Sequence, residues 1–158
     1  MMAASPVCAK PWPAANHAPA VQNRGMKTSR ITVYGIAACD TVKKARAWLL
    51  AHGIAHDFHD FKKLGVPQDR LDTWLAALGR ARLLNTRGTT WRQLSDTARA
   101  AVVDDASASA LMLSHASVIK RPVVRWADGR VTVGIDEAVW QAHITSQLAH
   151  TPDGNLAP

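Results

Sequence analysis

ITVYGIAACDT, residues 31–41, is the stretch that decides the fold. Its first four residues are β-branched or aromatic, which suits a short buried strand, and Gly35 breaks that run. A helix is predicted next, because Asp40 and Thr41 favour a first helical turn and apolar residues then recur at helical spacing until Gly53. Those apolar residues are Val42, Ala45, Trp48 and Leu49. The stretch therefore predicts a strand, a tight turn and a helix.

Cys39 lies where that strand-to-helix turn meets the helix, and it is the candidate nucleophile. The unpaired N–H groups of a first helical turn and the positive end of the helix dipole favour a thiolate over a thiol. Lys43 and Lys44 are candidates to strengthen that field. The alternative is an inert buried cysteine. A cysteine used for packing would fall inside the apolar pattern, so we interpret Cys39 as a reactive thiol.

The composition indicates one folded domain of ordinary type, with 158 residues, 47% hydrophobic and 20% charged. The formal net charge of +7 raises nucleic acid as a partner. Residues 1–29 hold three bases and no acid, however, which leaves 16 bases against 12 acids in the remainder. With no zinc-finger spacing and no recognition-helix motif, we expect no specific nucleic-acid partner. No apolar run approaches the about 18 residues of a membrane span, so we expect no membrane association.

The two cysteines, Cys8 and Cys39, do not indicate a stapling disulfide, which points to a reducing, cytoplasmic compartment. Residues 1–29 contain four prolines and no leucine, isoleucine or phenylalanine, so we predict a disordered leader. Met26 is a second candidate for the translation start. Residues 150–158 are predicted to be a flexible tail.

The next elements are a partial strand and a clear amphipathic helix. Residues 55–61 alternate only in part between apolar and polar side chains. Leu71, Trp74, Leu75 and Leu78 then fall on one helical face between Pro67 and Gly79. A metal site is suggested by three histidines, His52, His56 and His59. A spacing of three on a strand, however, puts His56 and His59 on opposite faces. We therefore expect solvated histidines and no metal.

Residues 80–116 are predicted to form an all-helical insertion, with short helices over Ser95–Val103 and Asp105–Ser114. The insertion begins with LLNTRGTTWR, residues 83–92, in which no acid accompanies the arginines. Arg87 belongs either to a solvated basic face or to an anion site. We prefer the anion site, because the small residues around Arg87 supply backbone N–H groups.

The last third of the chain predicts a β-hairpin followed by a closing helix. Val118–Trp126 and Val131–Val133 flank Asp128-Gly129, the strongest short hairpin signal. Pro122 suits the entry of a strand and is a candidate for a cis peptide bond. Asp136 is the predicted cap of a helix that places Trp140, Ile144 and Leu148 on one side.

With its order of elements, its cysteine at the first strand-to-helix turn and its X-Pro at a later strand, the chain resembles a thioredoxin-like protein. Its motifs resemble the arsenate reductase (ArsC) and Spx family, most closely the YffB-type branch. The motifs are residues 34–36 with 39–45, residues 83–92, and residues 119–122. The resemblance spans Ile31 to about Leu148. It implies an α/β domain over residues 30–149, with a mixed four-stranded sheet flanked by helices and a helical insertion between the two halves.

The resemblance also implies roles for individual residues. Cys39 matches the family nucleophile, and Arg121 and Pro122 match an arginine followed by a cis-proline. Asn85 aligns with another anion-binding arginine of the arsenate reductases, and Arg87 lies two positions further on. A third arginine, expected near residues 133–135, has no match. These differences imply an incomplete arsenate cage.

The function implied by the resemblance is a monothiol reductase of thiols or oxyanions. Spx-type regulators carry a redox CxxC at this turn, whereas Val42 occupies the second position here. A single thiol needs an outside thiol to complete a cycle, and the family suggests glutathione as that co-substrate. We expect a monomer without a bound cofactor. The alternatives are an Spx-like regulatory protein that binds RNA polymerase, and an arsenate reductase.

Overall fold

The computed structural model describes residues 30–148, and residues 1–29 and 149–158, with the predicted leader and tail, lie outside the described residues. This part of the chain contains four strands and eight α-helices. The strands are β1 (Ile31–Gly35), β2 (His56–Asp60), β3 (Val123–Arg125) and β4 (Val131–Val133). The helices are α1 (Asp40–Ala51), α2 (Phe61–Leu64), α3 (Gln68–Leu78), α4 (Arg80–Leu83), α5 (Thr89–Gln93), α6 (Asp96–Ala100), α7 (Asp105–Ser114) and α8 (Glu137–Leu148), with a 3-10 turn at Ala116–Val118.

The four strands form one mixed sheet in the order β2-β1-β3-β4. β1 and β2 are parallel, joined through α1, and Ile31 pairs with His56. β3 runs antiparallel to β1, with Val33 opposite Val124, and β4 is antiparallel to β3. This is the thioredoxin-like sheet that the resemblance implies. Because β1 is central, its carboxyl end delivers the following turn and Cys39 to the middle of one sheet edge.

The two faces of the sheet are covered by separate apolar clusters. Alternate residues of a strand point to opposite faces, and Val33 and Tyr34 accordingly belong to different clusters. On one side α1 and α8 bury Leu49, Trp126 and Trp140. On the other side α3 and the insertion bury a second set, which includes Trp74, Leu83, Met112 and Ile119. Trp74, Trp126 and Trp140 are fully buried, so the core has anchors on both faces.

Several predicted elements are confirmed by these boundaries. The buried residues of α1 and α3 are those that the periodicity predicts, apart from the partly exposed Trp48 and Leu78. α7 covers Asp105–Ser114 as predicted, and Asp104 and Ser107 form a capping box at its start. The Asp136 side chain accepts from the Val139 N–H at the start of α8.

Other boundaries differ from the prediction. The helix predicted over Ser95–Val103 is only Asp96–Ala100, although Ser95 caps it by accepting from the Ala98 N–H. The strand predicted from Val118 begins at Val123, because Val118 ends the 3-10 turn and Ile119 forms an isolated bridge with Leu84. Residues 118–120 therefore pair with the insertion and not with the sheet.

The three histidines considered as metal ligands each have a local partner. His52 stacks on Trp48 at 3.9 Å between ring centroids. A ring nitrogen of His59 lies 2.9 Å from the Gly65 carbonyl oxygen, and one of His56 lies 3.3 Å from that of Ile54. No helix within residues 30–148 is long and apolar enough to cross a membrane.

Candidate active site

The β1–α1 turn places Cys39 at the N-cap of α1, as the sequence predicts. The Cys39 N–H donates to the Ile36 carbonyl at 2.9 Å, and the Cys39 carbonyl accepts from the Lys43 N–H at 3.0 Å. Gly35 permits the close approach of strand and helix, since a Cβ at that position would lie 2.6 Å from a methyl carbon of Val42. The backbone around the thiol is therefore fixed on both sides while Cys39 itself stays partly exposed.

The surroundings of Cys39 favour the thiolate. Partial burial raises the thiol pKa, but the backbone N–H groups of Val42 and Thr41 lower it, followed by the positive charge of Arg121 and the Thr41 hydroxyl. The net result is a Cys39 pKa below the ordinary value. The Cys39 side chain is partly exposed, so its sulfur stays available for attack.

The lysines predicted to add to this field do not act on Cys39. The Lys43 ammonium lies 3.4 Å from an Asp40 carboxylate oxygen. Neither Lys43 nor Lys44 is among the groups that lower the Cys39 pKa. The prediction was wrong because both side chains are exposed on α1, where water screens them. The cation that does act comes from a distant part of the sequence, Arg121.

Arg121 precedes a cis peptide bond to Pro122, at the entry to β3. The Pro122 carbonyl accepts from the Gly134 N–H at 2.8 Å, which anchors this loop to the end of β4. The Nη1 atom of Arg121 is buried and has no hydrogen-bond partner within the described chain. A buried guanidinium nitrogen without a partner has unused capacity to donate, and a carboxylate or oxyanion is the acceptor that matches it best.

Asn85 and Arg87 lie in a turn that is hydrogen-bonded to the segment leading into Arg121. The Asn85 N–H donates to the Val118 carbonyl at 2.7 Å, and the Lys120 N–H donates to the Leu83 carbonyl at 2.7 Å. These bonds fix residues 83–85 beside the segment that leads into Arg121. Within the turn, the Gly88 N–H donates to the Asn85 carbonyl at 3.1 Å. Two of the three matched motifs are thus brought together.

The side chains of that turn differ in how tightly they are placed. The Asn85 amide lies over Gly88, because a Cβ on Gly88 would be only 2.7 Å from Asn85 Nδ2. Arg87 is exposed and makes no hydrogen bond or ion pair with any described residue. The structure therefore gives Asn85 a defined position and leaves the Arg87 guanidinium free in solvent.

Thr41 is a residue of the site that the sequence pattern did not identify. Both its N–H group and its hydroxyl lower the Cys39 pKa, whereas the sequence indicated only that Thr41 favours a first helical turn. The position of Thr41 in the helix could have indicated this role. The second and third residues after an N-cap are those whose N–H groups face the cap side chain, and Thr41 and Val42 occupy these positions behind Cys39.

Comparison with known proteins agrees with this architecture. The model of the ArsC family matches residues 34–143, which include the β1–α1 turn and the Arg121-Pro122 loop. This chain belongs to the ArsC family. It is similar to an uncharacterised protein of Haemophilus influenzae, at 38% identity over 112 residues, which are 71% of this chain and 96% of that protein.

Two solved structures show the same ArsC-type fold at high identity. A protein named YFFB is 44% identical with a TM-score of 0.68, and the match covers 72% of this chain and 97% of that one. An arsenate reductase (ArsC) related protein from Brucella melitensis is 45% identical with a TM-score of 0.58, covering 76% and 98%. The resemblance to the YffB-type branch is therefore confirmed.

Proposed function

We propose that this ArsC-family protein is a cytoplasmic monothiol reductase with glutathione as its co-substrate. The observation that carries the proposal is the partly exposed Cys39 thiol, which has a lowered pKa at the start of α1. The thiolate is the form that attacks a disulfide sulfur. Val42 stands where a resolving cysteine would stand in a CxxC motif. The second thiol of the cycle must therefore come from outside this turn.

In the proposed cycle, the Cys39 thiolate attacks the glutathione sulfur of a mixed disulfide between substrate and glutathione. A bond forms between Cys39 and glutathione, and the substrate sulfur leaves as a thiolate that takes a proton from water. A second glutathione then attacks the glutathione sulfur on Cys39. Glutathione disulfide leaves and the Cys39 thiolate is restored. One disulfide is consumed and one is formed, so electrons and atoms balance.

Arg121 and the turn at Asn85 would orient the anionic partner in this cycle. Glutathione carries two carboxylates, and the unpartnered Nη1 of Arg121 can donate to one of them. Asn85 supplies a neutral amide beside the same loop, where it can add a hydrogen bond without further charge. Arg87 is the second cation of the proposed pocket, acting from solvent. In this cycle Arg121 and Asn85 orient glutathione, and Cys39 is the nucleophile.

Intact-mass analysis after incubation with glutathione disulfide tests the proposal directly. We expect one glutathionyl adduct on Cys39 that is released by reduced glutathione. Cys39→Ser should form no such adduct on residue 39, and Cys8→Ser should behave like the wild type. A Cys39 that forms no adduct, or an adduct that excess glutathione does not release, would contradict the glutathione cycle.

Arsenate reduction is the second candidate, favoured by the ArsC family match and by the arsenate reductase relationship of the Brucella protein. In that reaction Cys39 would attack arsenate and glutathione would complete the reduction to arsenite. Asn85 stands in place of a cationic side chain, so we expect arsenate turnover below that of a glutathione mixed disulfide. If arsenite forms faster than the glutathione mixed disulfide is reduced, both with glutathione present, arsenate reduction becomes the first candidate function.

A further inference from the structure

A second cavity lies apart from the Cys39 site, between α2, α5 and the end of α7. Its volume is about 330 Å³, within the range of small-molecule sites. None of the residues that line it is Cys39, Asn85, Arg87 or Arg121. The proposed reductase cycle does not use it, so the cavity needs its own explanation.

The polar groups of this cavity are positive or neutral. Lys62 and His115 both line the cavity, and Thr90 and Ser117 add hydroxyl groups. No aspartate or glutamate is among the lining residues. The nearby Asp60 carboxylate accepts from the Lys62 backbone N–H, and the Lys62 ammonium forms no ion pair within residues 30–148. The polar side of the cavity is therefore suited to an anion.

His115 has one ring nitrogen occupied and one available. The Ser114 hydroxyl lies 3.0 Å from the Ala110 carbonyl oxygen and 3.1 Å from that of Leu111, so Ser114 donates there. Its oxygen is left to accept from His115 Nδ1 at 3.0 Å. The neutral ring then has its proton on Nδ1, and Nε2 donates only when the ring is protonated. His115 thus favours an anion more strongly in its charged form.

The remaining wall of the cavity is apolar, formed by Phe61, Val66 and Leu113. Phe61 is buried, whereas Leu113 is 37% exposed. A ligand with an apolar body and one anionic head group would cover this wall and reach Lys62 at the same time. Inorganic anions alone would leave the apolar wall unused.

We propose that the cavity lined by Lys62, His115 and Phe61 is a binding site for a small organic carboxylate or phosphate, independent of the Cys39 site. The head group would lie between the Lys62 ammonium and the His115 ring, and the apolar body would lie against Val66 and Leu113. Lys62 is the main source of affinity.

Amide chemical shifts of the uniformly ¹⁵N-labelled full chain, titrated with phenyl phosphate and with benzoate, test this site. We expect saturable shifts at residues 61–66 and 114–117 for at least one of the two, and the tighter probe identifies the head group. Benzyl alcohol, the neutral counterpart, should bind at least about tenfold more weakly.

Lys62 and Lys63 provide a matched pair of variants, because both are exposed on α2 but only Lys62 lines the cavity. Lys62→Ala should weaken binding roughly fivefold or more, and Lys63→Ala should change it less than about twofold. Equal losses in the two lysine variants would overturn the proposal in favour of general attraction to a basic surface. Shifts confined to Cys39–Val42 and Arg121 would overturn it in favour of binding at the Cys39 site.

Discussion

The two halves of the candidate active site are built differently. Cys39 and Arg121 lie in fixed backbone turns, and the charge of Arg121 acts on the thiol. Asn85 and Arg87 share a turn that is also fixed by backbone bonds, yet the Arg87 guanidinium is exposed and without a partner in the described part of the chain. The first half is organised down to its side chains, whereas in the second half the Asn85 amide has a defined position and the Arg87 guanidinium does not.

This difference separates chemistry from recognition. A nucleophile must be activated before any substrate arrives, so its surroundings have to be formed in the free protein. A cation that only recognises an anion can find its position when the anion binds, at a cost in side-chain entropy. We therefore expect substitutions in the first half to affect the thiol itself, and substitutions in the second half to affect only substrate affinity.

The largest expected effect is that of Cys39→Ser, which tests the first half at its centre. The change should abolish reductase activity, because a hydroxyl with no nearby base is not a nucleophile at neutral pH. The fold should stay intact, since serine is close in size and is a favoured N-cap residue. Turnover of a glutathione mixed disulfide and thermal unfolding measure the two effects. Residual activity above about one per cent of wild type would place the nucleophile elsewhere.

Arg121→Lys should have the next largest effect. A lysine keeps the charge but loses the planar pair of donors, and its ammonium is more strongly hydrated. We expect a higher thiol pKa and roughly tenfold weaker binding of glutathione. In the wild type, iodoacetamide should alkylate Cys39 with a midpoint below the ordinary value of about 8.5, because the thiolate persists at lower pH.

A pH series of alkylation rates on wild type and Arg121→Lys makes this measurement. Cys8→Ser as the common background removes the other cysteine from the signal. If the midpoint and the glutathione affinity are both unchanged in Arg121→Lys, Arg121 has no part in activating or serving Cys39.

The position of Cys39 could be predicted from the sequence because its signals are local. A β-rich run, a glycine and a helix start within residues 31–41 determine where Cys39 lies. The Asp128-Gly129 pair likewise predicted the β3–β4 hairpin, and Gly129 has the positive φ of 86° that the turn requires. Local chemistry fixes such features whatever the rest of the chain does.

Contacts between distant segments could not be predicted in the same way. Residues 118–120 are rich enough in apolar residues to suggest a strand, but they pair with residues 83–85 instead of the sheet. The Lys43 and Lys44 prediction failed for a related reason, since only the folded chain shows that Arg121 reaches the thiol and the lysines do not. The resemblance to the family identified Arg121 as a residue of the site. Hydrophobic periodicity alone would have placed it on the surface.

Gly88→Ala tests the second half of the site, the turn that holds Asn85 and Arg87. The new methyl group would meet Asn85 Nδ2 at 2.7 Å, so the Asn85 amide must move, while the φ of −73° at Gly88 suits alanine. We expect little change in unfolding free energy and a roughly threefold rise in KM for glutathione, with kcat and the thiol pKa unchanged. The control is the same change in an Asn85→Ala background, where no further rise should occur. A rise that persists there would show that Gly88→Ala acts through the backbone of the turn.

The smallest effect is expected from Arg87→Gln, and it decides between the two interpretations of that arginine. An exposed, unpartnered guanidinium contributes to anion binding through a contact that water screens, so KM for glutathione should rise only about twofold. The thiol pKa should not move, since Arg87 is not among the groups that act on Cys39. Arg92→Gln is the matched control, because Arg92 is exposed on α5 a few residues away. If both variants raise KM equally, Arg87 belongs to a solvated basic face. If only Arg87→Gln does, Arg87 takes up its place in the pocket when the anion binds, as a free guanidinium on a fixed turn would have to do.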